Sequence, residues 1–132
     1  MPDSQRAIIA IKTGLMEVKM ILKTVEVQKV EETIIMLQKH MVDLPALCPR
    51  TSNPQPGSKL EISYRPGSKL LEVYSLSEYV QSFVGSQEVR DIEHFIQVIA
   101  RDCGLVLGVP VNVIGTFILD IRQTVEVEVT AG

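Results

Sequence analysis

The sequence predicts an α+β domain, an antiparallel sheet with two helices on one face. Three observations carry that expectation. Residues 124–130 read TVEVEVT, the strict alternation of a strand with one wet face. Residues 88–103 place Ile92, Phe95, Ile96, Ile99 and Cys103 along one helical face. Strand-type segments both precede and follow the helical region, an order that puts helices on one side of an antiparallel sheet.

The elements follow in chain order. Residues 5–22 carry Ile8, Ile11, Leu15, Val18 and Leu22 at three- and four-residue steps, which predicts a helix weakened by Gly14. In residues 24–40, Val25 and Val27 alternate with Glu26 and Gln28 ahead of an Ile- and Leu-rich part. This predicts one long strand with a bulge near Glu31 and Glu32. Pro45, Pro49, Pro54 and Pro56 then forbid regular structure up to Gly57. The pentapeptide PGSKL occurs at residues 56–60 and again at 66–70, bracketing LEISYR, which predicts turn, short strand, turn. Ser75 with Glu78 has capping-box spacing, so a helix is expected over residues 76–84, stopped by Gly85. The second helix, 88–103, is expected to end at Gly104. Strands at 111–119 and 124–130 complete the chain.

Composition bounds the function. The 132 residues suit a single domain with a real core. Hydrophobic residues make up 45% and charged residues 22%, the balance of a globular chain. A net charge of −3 argues against a general nucleic-acid coat, which needs a basic face, but leaves room for a pocket that holds one base. The opening MPDSQR is polar, and no apolar run approaches membrane-spanning length. The expected setting is therefore cytoplasmic, with Cys48 and Cys103 as free thiols and no membrane partner.

The chemistry concentrates at residues 46–67, ALCPRTSNPQPGSKLEISYRPG. Pro49 directly follows Cys48, so the sulfur sits on extended or turning chain. A thiol at a loop–strand junction is either a small apolar filler or a sulfur presented to a ligand. Cys103, on the apolar helix face, reads as core.

The residues Leu47-Cys48-Pro49-Arg50-Thr51, Ile62-Ser63-Tyr64, Glu72, Ser75-Leu76 and Tyr79-Val80-Gln81-Ser82-Phe83 resemble the core motifs of the QueF family of nitrile oxidoreductases and its QueF-like relatives. The resemblance runs over about residues 44–129, is most specific over 47–83, and leaves residues 1–23 uncovered. It implies a T-fold (tunnelling fold). It also implies assembly into homo-oligomeric rings with sites between subunits. The implied ligand is 7-cyano-7-deazaguanine, free or within tRNA or DNA, as in queuosine and archaeosine metabolism. Cys48 would add to the nitrile carbon to give a thioimide, sulfur being a strong nucleophile once deprotonated. Glu93 would read the guanine-like edge, since one carboxylate accepts from a ring N–H and an exocyclic amine together. Glu72 is the second substrate-binding candidate.

Departures from the family pattern shape the expected reaction. Gln55 stands where the reductases carry the acid seven residues after the cysteine. Tyr74 and Ser77 replace two lysines that hold NADPH phosphates, and Ile92 replaces a histidine. The expected enzyme therefore forms an amidine by amine attack on the thioimide, without cofactor or metal. Three other readings compete. An NADPH-dependent reductase would recruit Arg50, Lys59, Arg65 or Lys69 as replacement cations. A zinc-dependent cyclohydrolase would have to use Cys48, His40, His94 and Cys103, whose spacing matches no metal motif. The third is a non-catalytic purine- or pterin-binding T-fold. Asp43, Glu61 and Glu72 are the candidate proton donors, and Arg50 or a histidine is the candidate activator of Cys48.

Overall fold

A computed structural model describes residues 21–132 except Lys29 and Arg90. Apart from its last two residues, the helix expected over 5–22 lies outside the described residues. The strands are β1 (Thr24–Glu26), β2 (Gln38–Asp43), β3 (Lys59–Tyr64) and β4 (Lys69–Leu71), followed by β5 (Val111–Ile118) and β6 (Thr124–Ala131). Between β4 and β5 lie helices α1 (Val73–Gln81) and α2 (Ile92–Leu107). Strands β2-β3-β5-β6 form one antiparallel sheet in that order, and β1 pairs with β4 in a separate antiparallel ribbon. The α+β class with antiparallel sheets is as expected. Among the described residues no helix is long and apolar enough to cross a membrane.

Register puts one apolar face on the large sheet. Leu60 lies opposite Gly115, Ile62 opposite Val113 and Tyr64 opposite Val111; Val125, Val127 and Val129 continue that face along β6. The strand alternation 111, 113, 115, 117 is buried throughout. α2 packs on β5 and β6 and gives Phe95, Ile96, Ile99 and Cys103 to the core, the face expected of it, with Cys103 fully buried. Burial, followed by the nearby Asp102 charge, pushes the Cys103 thiol up, which makes it an inert packing residue. α1 adds Leu76, Tyr79 and Val80 to the same core.

Gly115 of β5 faces the Ile96 side chain of α2. A Cβ there would lie 2.5 Å from Ile96 Cδ1 and 2.5 Å from the Phe117 ring, both fully buried. Gly115→Ala is expected to cost about 1–3 kcal/mol through overpacking. Urea unfolding checks this, and an unchanged midpoint would mean that the α2–sheet contact adjusts freely.

Three sequence expectations need correction. The long strand over 24–40 is instead two strands in different sheets, β1 and β2. The Glu31 region is a turn, closed by the Ile34 N–H on the Glu31 carbonyl at 2.9 Å. Thr-Val-Glu and Gln-Lys-His-Met-Val-Asp each suit a strand, but β1 answers to β4 and β2 to β3, so the segment between them must cross over. α1 starts a turn earlier than expected. The Glu72 carboxylate, not Ser75, caps it, accepting the Tyr74 and Ser75 N–H groups at 2.8 Å each. Ser75 instead donates to the Glu72 carbonyl and accepts the Lys23 N–H, tying α1 to the chain before β1. α2 begins at Ile92, after the Asp91 cap, because Ser86 Oγ holds the Glu88 and Val89 N–H groups in a turn. It runs through Gly104 and ends at Gly108, which has a φ of 71°. The two PGSKL copies also differ: Gly57 has a φ of 96° and leads into β3, whereas the second copy leads into the three-residue β4 without a positive φ.

Candidate active site

Cys48 lies in a loop closed from both ends. The Leu47 and Cys48 N–H groups both donate to the Asn53 carbonyl, at 2.9 and 3.0 Å, and the Ser52 N–H returns to the Cys48 carbonyl at 2.9 Å. Ser52 takes a φ of 58°, the left-handed value that lets the loop reverse so tightly. The Gly85 N–H donates to the Leu47 carbonyl at 2.8 Å, pinning this loop to the chain that leaves α1.

The sulfur is partly exposed. The Thr51 hydroxyl, donating to it, holds the Cys48 thiol below the ordinary cysteine value. The backbone N–H groups of Thr51 and Arg50 act in the same direction, partial desolvation opposes them, and the Arg50 charge adds a smaller pull. Donors gathered around one atom stabilise its anion, which is how a thiol becomes a nucleophile near neutral pH.

A cavity of about 580 Å³ opens beside this sulfur, within the usual range for a small-molecule site. Its walls come from three segments: the Cys48 loop, the end of α1 and the start of α2. Phe83 and Phe95 contribute an apolar wall and pack edge to face with centroids 5.2 Å apart. Phe95 also packs on Phe117 of β5, so this wall is anchored in the core. Arg50, Thr51, Asp91 and Glu93 bring the polar groups.

The structure thus brings Cys48 and Glu93 to one cavity, although they are far apart in sequence. Glu93 is exposed in the first turn of α2. Glu72 is not among the lining residues; both its oxygens are held by α1 amides, which also keep its carboxyl below the usual range. Of the other candidate proton donors, Asp43 pairs in register with Lys59, and Glu61 lies on the outer sheet face with its carboxylate 3.9 Å from Lys39. Neither lines the cavity. Gln55, at the position of the family acid, turns its amide back onto the Ser52 carbonyl and Asn53 Oδ1, at 3.1 and 3.2 Å, and braces the loop.

Sequence reasoning missed Asp91 and the part played by Thr51. Asp91 lines the cavity and caps α2, its Oδ1 accepting the His94 N–H at 2.6 Å. Its signal was an aspartate directly ahead of the apolar helix face. Thr51 was legible only as a motif letter, because its contact with Cys48 depends on how the loop folds.

The four residues of the cyclohydrolase reading are dispersed. His40 bonds Tyr64 at 2.8 Å on the sheet, Cys103 is core, His94 is exposed, and among the described residues no three metal-ligating groups stand together. Of the replacement cations named for NADPH, Arg50 alone lines the cavity, while Lys59 and Lys69 belong to β3 and β4.

The elements and cavity define an α+β protein in which a partly exposed thiol, held below its ordinary value, and two carboxylates line one small-molecule-sized cavity. No protein-family model matches the chain, and no curated protein matches it.

Proposed function

We propose that the chain is a QueF-like T-fold enzyme acting on the nitrile of 7-cyano-7-deazaguanine through Cys48. The observation that carries the reading is the convergence of Cys48 and Glu93 on one cavity. Motif resemblance had named both residues, and no local pattern links them. The sheet order β2-β3-β5-β6, with two helices inserted between the hairpins, supports the T-fold reading. Homo-oligomeric rings with sites between subunits, and a cytoplasmic setting, belong to the same proposal. The outer strands β2 and β6 offer edges for such pairing.

The proposed chemistry has two steps. Cys48 Sγ adds to the nitrile carbon, one C–N π bond breaks, and the nitrogen takes up a proton, giving the thioimide. Ammonia or another amine then adds to that carbon, the C–S bond breaks, and the thiol returns with an amidine as product. Glu93 accepts hydrogen bonds from the ring N–H and the amine of the base. Asp91 and Glu93 are the carboxylates positioned at the cavity for proton transfer. Gln55 offers no titrating proton.

Amidine formation is favoured over reduction because Tyr74 and Ser77 are exposed, uncharged residues where phosphate-binding lysines would be needed. Incubating the protein with 7-cyano-7-deazaguanine and ammonium, without NADPH, is expected to yield the amidine by mass spectrometry. Cys48→Ala should yield none. Nitrile-dependent NADPH oxidation without amidine would contradict this choice of reaction and favour the reductase.

A further inference from the structure

Asn53 connects the nucleophile loop to a distant turn. Its side-chain Nδ2 donates to Asp120 Oδ1 at 3.1 Å, and its Oδ1 accepts the Asp120 N–H at 3.1 Å. Asp120 belongs to the turn between β5 and β6. The reciprocal pair fixes the Asn53 amide, and Gln55 Nε2 adds a second donor to its Oδ1 at 3.2 Å. The Asn53 backbone faces the other way. Its carbonyl takes the Leu47 and Cys48 N–H groups, and its own N–H donates to Thr51 Oγ1 at 3.3 Å. The Thr51 oxygen accepts there, which leaves its hydroxyl proton free for the neighbouring Cys48, whose thiol this hydroxyl holds below its ordinary value.

We propose that Asp120 is a positioning residue for the Cys48 nucleophile, acting through Asn53 and the Thr51 hydroxyl. The inference rests on the reading of Cys48 as the nucleophile. Asp120 supplies orientation, not fold. The loop exit is held to β5 separately, by the Gln55 N–H on the Ile118 carbonyl at 2.7 Å and the Ile118 N–H on Ser58 Oγ at 2.9 Å. Asp120 and Thr51 are both exposed, so substituting them leaves the core intact.

Charge and positioning predict opposite signs, which makes the proposal decidable. Removing a negative charge by itself never makes a thiolate harder to form. Losing the donor that Asp120 holds in place makes it harder. The experiment follows iodoacetamide alkylation of Cys48 against pH by peptide mass, with buried Cys103 as the unreactive reference. Thr51→Val should move the midpoint upward and slow alkylation at pH 7 by roughly three- to tenfold. Thr51→Ser should restore it. Asp120→Ala should shift the midpoint upward as well, while Asp120→Asn, which keeps the acceptor for Asn53, should stay at or below the wild-type midpoint. Combining Thr51→Val with Asp120→Ala should add little to Thr51→Val alone, as expected of residues acting in series. An unchanged or lowered midpoint in Asp120→Ala, or additive shifts, would overturn the proposal. Alkylation does not involve the nitrile. The expected profile in a protein inert toward 7-cyano-7-deazaguanine would sink the proposed activity and keep the positioning role. A flat profile across variants of an active enzyme would do the reverse.

Discussion

Asp102→Ala is expected to destabilise the protein by about 3–4 kcal/mol, a large share of the stability of a domain this size. The Asp102 carboxylate is fully buried on α2, with Oδ2 accepting the Tyr79 hydroxyl at 2.7 Å and Oδ1 accepting Arg101 Nε at 3.1 Å. Tyr79 is itself fully buried on α1, and burial, followed by the Asp102 charge, pushes its hydroxyl well up, so it stays protonated and donates to Asp102. Removing the carboxylate costs a hydrogen bond to a charged group and leaves the Tyr79 hydroxyl buried without an acceptor. Arg101 is half exposed and turns to water at little cost. Tyr79→Phe in the alanine background removes the orphaned hydroxyl, so the double variant should be less destabilised than the two single effects summed. Urea denaturation of the four proteins measures this cycle. A cost under about 1 kcal/mol for Asp102→Ala would show that the buried pair contributes little net stability, as some buried ion pairs do. The pair also joins α1 to α2, whose adjacent ends build two walls of the cavity, so the variant should bind ligand more weakly as well.

Glu93→Gln is expected to weaken binding of 7-cyano-7-deazaguanine by about 1.5–3 kcal/mol, or roughly 10- to 150-fold. In the proposed complex the Glu93 carboxylate accepts from two donors on the base. Glutamine keeps one acceptor and turns a donor toward the second ligand N–H, leaving that group desolvated and unpaired. Glu93 is exposed on the first turn of α2, where its removal leaves the apolar face of the helix untouched. The loss should therefore fall on affinity and not on folding. Calorimetry in a Cys48→Ala background separates binding from bond formation. Unchanged affinity in a folded Glu93→Gln protein would place the base elsewhere in the cavity, with Asp91 the next residue to test.

The sequence was most legible where periodicity and burial coincide. TVEVEVT became β6, and the Ile92, Phe95, Ile96, Ile99, Cys103 stripe became the buried side of α2. It was least legible where side chains compete for backbone groups. Ser75 and Glu78 have capping-box spacing, yet the Glu72 carboxylate reaches the α1 amides first, and Ser86 likewise delays α2. Residues 24–40 do not form the one expected strand, because strand propensity does not say which neighbour a strand will find. Cys48 and Glu93, which the motif resemblance names, line one cavity. Glu72 was assigned to the ligand, but the helix start occupies it. Thr51, Asn53 and Asp120 could not be grouped from sequence, because their contacts exist only once the loop closes against the β5–β6 turn.

Intact mass after incubation with 7-cyano-7-deazaguanine tests the central claim most directly. The wild-type protein is expected to gain the mass of one ligand per chain, mapped to the peptide that contains Cys48, and Cys48→Ala is expected to gain none. An equal gain in both proteins, or a gain lost only in Cys103→Ala, would contradict the account.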